Sequence, residues 1–168
     1  MILYLVRHAE AIERSGTMPD AVRYLTPNGR LVFRKVARRV RQEGAAPDVV
    51  FSSPLVRAVQ TAEILAERLD HTGPVVVARQ LSPGFDRGKL DSLLAEAGNP
   101  REAAFVGHEP DLGELAASLL SVAGNLPLRK GAVMALEFEG KRAKWKAKFL
   151  WRMDGKGTVT RLAEASRD

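Results

Sequence analysis

Residues 2–6 form an unbroken apolar run that stops abruptly at Arg7 and His8. Such a run predicts a strand buried on both faces, as in the middle of a parallel sheet. A polar stretch with Gly16 and Pro19 follows. Thr26-Pro27 then opens a helix, with Thr26 as N-cap and Pro27 at its first position. Leu31, Val32, Val36, Ala37 and Val40 supply its apolar face, arginines supply the wet side, and Gly44 ends it.

Residues 48–52 read as a second strand. Ser53-Pro54 repeats the cap-plus-proline spelling and opens a helix through about residue 69, with Arg57 in its first turn. The free N–H groups and dipole of a helix start favour an anion. A cation there opposes the dipole, so Arg57 either is an exposed helix residue or adds a full charge to an anion site. Residues 75–77 form a short third strand, and residues 89–97 a short helix stopped by Gly98 and Pro100. A fourth buried strand, residues 103–106, runs into Gly107-His108 ahead of a helix over 112–120. Residues 131–138 and 144–151 look like two more strands. The second alternates Lys144, Lys146 and Lys148 with Trp145, Ala147 and Phe149, as a half-exposed edge strand would.

Strands alternating with helices imply βαβ units and a mostly parallel sheet between helix layers. No repeat or linker divides the chain, so residues 1–168 are expected to form a single domain. Ligands of such folds bind beyond the carboxyl ends of the strands. Arg7-His8 alone fits a capped strand and a structural histidine equally well. The coincidence is stronger, because three strand ends carry Arg7-His8, Ser52-Ser53 with Arg57, and Gly107-His108. If those strands are neighbours, two arginines and two histidines meet in one pocket.

Composition narrows the chemistry. There is no cysteine, which excludes disulfides and thiol catalysis, and the three histidines (His8, His71, His108) are too few for a His-rich zinc site. His71 lies in a Gly/Pro loop and receives no role. No apolar run is long enough to span a membrane, and the opening run is too short for a signal peptide, so a cytoplasmic location is expected. The net charge is +6; residues 1–128 carry 15 Lys/Arg and 15 Asp/Glu, whereas residues 129–168 carry 11 against 5. The basic stretch 141–152 reads as a solvated surface or as a face that attracts an acidic partner. No aromatic stacking platform accompanies the basic residues, which argues against nucleic acid.

In these motifs the chain resembles the histidine phosphatase superfamily, the phosphoglycerate-mutase-like fold. The family's Arg-His-Gly signature corresponds to Arg7-His8-Ala9, its second arginine motif to the run from Ser52 to Ala62, and its second histidine to Val106-Gly107-His108. More narrowly, the chain is similar to the SixA-type phosphohistidine phosphatases. They share the Arg-His-Ala-Glu-Ala opening (Arg7 to Ala11), the Arg-x-Leu-Thr-x-x-Gly segment (Arg23 to Gly29) and the Gly-His-Glu-Pro-Asp-Leu run (Gly107 to Leu112). The resemblance implies a three-layer α/β/α sandwich with a mostly parallel central sheet.

It also implies a mechanism. His8 is the nucleophile, with its second ring nitrogen held by a backbone carbonyl. Arg7 and Arg57 grip the phosphoryl oxygens, and a protonated His108 completes the cage. No cofactor or metal is implied. The expected partner is a phosphohistidine-bearing protein, such as a histidine phosphotransfer domain, or a small phosphorylated substrate. A small-molecule phosphomonoesterase and a non-catalytic phospho-binding module remain as alternatives. The phosphomonoesterase branches carry a glutamate acid in the loop after the third strand. Here that loop reads Leu81-Ser82-Pro83-Gly84-Phe85-Asp86, and only Asp86 offers a carboxyl group.

Overall fold

A computed structural model of the chain describes residues 1–139 and 146–166. The first apolar run becomes strand β1 (Ile2–Arg7), whose four middle residues are buried. Helix α1 (Pro27–Gln42) follows, capped by the Thr26 side chain, which accepts from the Gly29 N–H at 2.9 Å. Its buried face is Gly29, Phe33, Val36, Ala37 and Val40. Leu31, expected inside, is 53% exposed. Phe33, Val36, Ala37 and Val40 hold the i, i+3, i+4, i+7 spacing, which puts Leu31 about 200° away from Phe33. Gly29 is needed for close approach, because a Cβ there would collide with the Glu10 carbonyl.

Strand β2 (Val49–Ser52) leads to helix α2 (Val56–Arg68), strand β3 (Val75–Val77) and helix α3 (Arg87–Glu96). Helix α2 starts two residues later than the Ser53-Pro54 spelling suggested, with Leu55 at the N-cap position. The Ser53 hydroxyl is instead 2.7 Å from a ring nitrogen of His108. Asp86 caps α3, accepting from the Lys89 N–H at 2.9 Å. Strand β4 (Glu102–Gly107) and helix α4 (Asp111–Leu120) follow. The chain then forms β5 (Val133–Glu139), β6 (Lys146–Met153), β7 (Thr158–Val159) and the short α5 (Leu162–Ala165).

One sheet joins these strands in the order β3-β2-β4-β1-β5-β6-β7. Strands β1 to β4 pair in parallel, while β5, β6 and β7 extend the sheet antiparallel. Leu3 and Leu5 face a core with Phe105, Leu90, Leu93 of α3 and Leu112, Leu115 of α4. Tyr4 and Val6 face the opposite core, with Phe33 and Val36 of α1 and Ala62 and Leu65 of α2. The result is the expected α/β/α sandwich, with a parallel half that carries the motifs.

Among the described residues, strand β6 is covered by β7 on its outer side only at its last residues, Arg152 and Met153, while the stretch from Lys146 to Trp151 pairs with β5 alone. A register shift between Ala135 and Leu136 interrupts its alternation. Arg152, read from sequence as part of a solvated basic stretch, is 1% exposed and donates to the Ala165 carbonyl at 3.0 Å. Lys141, Lys144 and Trp145 lie outside the described residues. Ile2 pairs with Glu137 and Val6 with Val133. Glu139 and Lys146 therefore flank the end of the sheet where β1 begins, away from Arg7 and His8. Among the described residues, no helix is long and apolar enough to cross a membrane.

Candidate active site

The three motif-bearing strands are neighbours. Arg7 is in register with Gly107, and Val6 and Ser52 both with Val106. His8, Ser53 and His108 therefore leave the sheet at one level, and Arg7, His8, Arg57 and His108 line a single cavity of about 320 Å³. Each hydrophobic run ends near its polar residues, and the pairing of the strands brings those ends together, with Arg57 supplied from the first turn of α2.

His8 is 8% exposed. Its backbone N–H donates to the Gly107 carbonyl at 3.1 Å, and its carbonyl accepts from Gly131 at 3.0 Å. Its Nδ1 lies 2.8 Å from the Ala9 carbonyl. A carbonyl only accepts, so Nδ1 carries the hydrogen and Nε2 keeps the lone pair. The Thr61 hydroxyl then links this loop to α2. It accepts from the Ala9 N–H at 3.0 Å and donates to the Arg57 carbonyl at 2.7 Å.

Arg7 donates through Nη1 to the Leu128 carbonyl at 2.8 Å. Arg57 donates through Nη1 to the Asp20 carbonyl at 2.8 Å and through Nη2 to its carboxylate at 3.0 Å. His108 Nε2 meets Ser53 Oγ at 2.7 Å, and the two histidine rings lie 5.3 Å apart. Arg7 Nε, Arg57 Nε and His108 Nδ1 are buried with no hydrogen-bond partner. Buried polar atoms without partners are costly. The two arginine nitrogens are donors only and create a demand for acceptor oxygens, which His108 Nδ1 shares when that ring is protonated.

Burial, the proximity of His108 and the two arginine charges push His8 down to about 3. Burial first, and then Arg57, push His108 down to about 4. Both arginines are also shifted down by burial, yet a guanidinium keeps its charge. At neutral pH, burial therefore favours the neutral form of both imidazoles beside the Arg7 and Arg57 cations. The expected protonated His108 therefore concerns the complex, since burial beside Arg57 disfavours a further cation there until an anion arrives. Adding an anion reverses that balance, so anion binding is expected to protonate His108. Calorimetry of tungstate binding at pH 7, in buffers of different ionisation enthalpy, should reveal net proton uptake; none would mean that His108 stays neutral in the complex.

Several residues of this cavity were not singled out from sequence. Asp20, Arg14, Arg23, Lys130, Pro83 and Glu109 line it as well. Glu109 is pushed up to about 7 by burial, against the pull of the Leu128 and Gly113 N–H groups and of Arg7. Asp86 does not line the cavity. A hollow of about 350 Å³ elsewhere is bordered by Asp48, Asp70, His71 and Arg101. There Asp48 accepts from backbone N–H groups, Asp70 pairs with Arg41, and the His71 ring lies 3.2 Å from the Pro74 carbonyl. No group of three or more His, Asp or Glu residues is placed to hold a metal ion among the described residues.

The sequence profile of the histidine phosphatase superfamily (branch 1) matches residues 3–82. Phosphohistidine phosphatase SixA of Escherichia coli K12 is 30% identical over 121 residues, covering 71% of this chain and 74% of that protein. An uncharacterised protein of Picosynechococcus is 38% identical over 148 residues, covering 79% of this chain and 87% of that one. The solved structure of the protein histidine phosphatase SixA complexed with tungstate superposes with a TM-score of 0.80 at 24% identity, covering 93% of this chain and 98% of that chain.

Proposed function

The chain belongs to the histidine phosphatase superfamily and is of its SixA type, and from that premise we propose that it is a metal-independent phosphohistidine phosphatase acting on a signalling protein. The observation that carries this reading is the set of unpartnered Arg7 Nε, Arg57 Nε and His108 Nδ1 groups beside a histidine whose Nε2 keeps its lone pair. A tetrahedral oxyanion supplies the acceptors that the two arginine groups lack and that His108 Nδ1 uses once its ring is protonated.

In the proposed reaction, His8 Nε2 attacks phosphorus in line. The Nε2–P bond forms as the bond from phosphorus to the substrate imidazole breaks, and the electron pair leaves with that ring, whose other nitrogen carries a proton so that it departs as neutral imidazole. The Ala9 carbonyl stabilises the positive charge that develops on the His8 ring. Water then attacks the phosphorylated His8, releasing inorganic phosphate and restoring the free imidazole. Arg7 and Arg57 bind the equatorial oxygens through charge-assisted hydrogen bonds, and His108 stabilises the transition state. These side chains supply the positive charge that a magnesium ion provides in other phosphoryl transfers. We place the enzyme in the cytoplasm, with a histidine phosphotransfer domain as the fitting kind of partner.

The decisive experiment compares kcat/KM over a panel of phosphohistidine proteins, phosphohistidine peptides and small phosphomonoesters. A phosphohistidine protein is expected to rank first; a small ester ranking first would transfer the site to the phosphomonoesterase reading. A phosphate-binding module without turnover needs the arginines but no free nucleophilic nitrogen, and His8 has one. EDTA is expected to leave activity unchanged, and vanadate to inhibit competitively. Replacing Arg7, Arg57 or His108 by alanine should each cost about a hundredfold or more in kcat. A strict requirement for magnesium would contradict the arginine cage.

A further inference from the structure

Residues 12–24 form a strap over the cavity, and none of them is buried. Its base is closed by a bridge between Ala11 and Leu25 and by the Ile12 N–H donating to the Tyr24 carbonyl at 2.9 Å. With no apolar anchor, the strap relies on polar ties. Among the described residues, its hydrogen bonds to α2 both come from Asp20, through its carbonyl at 2.8 Å and its carboxylate at 3.0 Å to Arg57. The other carboxylate oxygen accepts from Arg23 Nε at 2.9 Å and Arg14 Nε at 3.2 Å. Arg23 in turn donates to the Ile12 carbonyl at 2.9 Å, which closes the strap on itself.

The pattern of these bonds matters more than their number. A guanidinium offers two forked edges to an anion: an end edge made by Nη1 and Nη2, and a side edge made by Nε and the second N–H of Nη2. Asp20 occupies the end edge with two acceptors. The Nε of the side edge is buried and has no partner. An arginine held at one edge cannot rotate about its last torsions, so the other edge keeps one direction.

We infer that Asp20 is a positioning residue, whose grip on the end edge of Arg57 fixes the side edge for the transferring phosphoryl group. This rests on the phosphatase reading for the identity of that group. Arg14 and Arg23 hold the carboxylate in turn, which gives the strap a part in the site although it touches no reacting atom. This also gives the Arg-x-Leu-Thr-x-x-Gly segment a job. Arg23 orients Asp20, Leu25 is buried, Thr26 caps α1 and bonds Glu10 at 2.7 Å, and Gly29 lets α1 approach Glu10.

A simple electrostatic view predicts the opposite sign, because removing a carboxylate makes the cavity more positive and should tighten anion binding. The comparison that separates the two holds the charge constant. Asp20→Asn and Asp20→Ala both remove one negative charge, but only asparagine keeps an acceptor for Nη2. Tungstate affinity and kcat/KM are expected to be about tenfold higher in Asp20→Asn than in Asp20→Ala, the scale of one charge-assisted hydrogen bond. In an Arg57→Ala background the two variants should become equal, since nothing is left to position. Equal behaviour of asparagine and alanine in the presence of Arg57 would overturn the inference, as would a difference that persists without Arg57. Circular dichroism checks folding of each variant. A protein that shows this tungstate pattern but hydrolyses no phosphohistidine would keep the clamp and lose the substrate assignment.

Discussion

Replacement of His8 by alanine is expected to abolish the phosphoenzyme and to lower kcat/KM by on the order of 10⁴-fold or more, with the fold retained. The nucleophile is the one group that the other cavity residues cannot replace. The arginines bind oxygens and His108 stabilises charge, but neither supplies a bond to phosphorus. Retention of the fold follows from how His8 is tied in. Its N–H bonds Gly107 and its carbonyl bonds Gly131, and both are backbone contacts that alanine keeps. Rapid-quench labelling of the wild-type protein should trap a phosphoramidate, labile in acid and stable in alkali. Label persisting in the alanine variant would assign the nucleophile elsewhere.

A stability measurement accompanies this one. The folded protein holds His8 down at about 3, below its ordinary value near 6.5 in the unfolded chain. The unfolded state therefore binds the proton first as pH falls. The associated stability is fully present above about pH 6.5 and declines toward pH 3. Denaturant titrations should show a shallower acid decline in His8→Ala than in the wild type.

What the sequence made legible, and what it hid, divide along a physical line. Arg7, His8 and His108 could be found because they stand at the ends of buried apolar strands, and Arg57 because a cation in a helix's first turn opposes the dipole. The sheet order β2-β4-β1 then brought them together. Asp20 lies in a polar strap with no period, so nothing local marks it, and Arg23 opens the Arg-x-Leu-Thr-x-x-Gly segment without any sign of what it holds. Ser53 was misread because a serine before proline spells a helix cap equally well, and only the fold brings His108 to its hydroxyl. Phe33 and Leu31 differ by two positions on α1, and the phase was legible in the i, i+3, i+4, i+7 spacing of Phe33, Val36, Ala37 and Val40, which leaves Leu31 outside. The charge state of His108 depends on the summed charge of a closed cavity, which no single motif contains. Glu109 stood in plain view beside His108, but a carboxylate at a helix start is ordinarily read as a cap. Its bond from the Gly113 N–H at 3.1 Å shows that it is one, although it also lines the cavity.

Phosphohistidine, an activated aryl phosphate and an alkyl phosphate are expected to be hydrolysed in that order of rate, with the alkyl ester slower by about 10²–10⁴-fold, the usual worth of a general acid. An alkyl phosphate expels an alkoxide, which needs a proton as it leaves. A phosphohistidine protonated on its other ring nitrogen expels neutral imidazole, and a ring with an ordinary pKa of about 6.5 takes up that proton from solvent near neutral pH, so no positioned acid is needed. The loop after β3 brings Pro83, not a carboxyl group, to the cavity. Asp86 is committed to the Lys89 N–H at the start of α3. Glu109 is the carboxyl group that deserves the test, since at about 7 it is partly protonated near neutral pH. Yet its carboxylate accepts from the backbone N–H groups of Gly113 and Leu128, which aims it at the protein instead of at a leaving group. Glu109→Gln is therefore expected to slow phosphohistidine and alkyl phosphate by the same factor, through the Leu128 segment whose carbonyl holds Arg7. A selective loss of alkyl hydrolysis, together with loss of a rate decline above pH 7, would make Glu109 the acid. Equal rates for alkyl phosphate and phosphohistidine in the natural protein would defeat the leaving-group argument altogether.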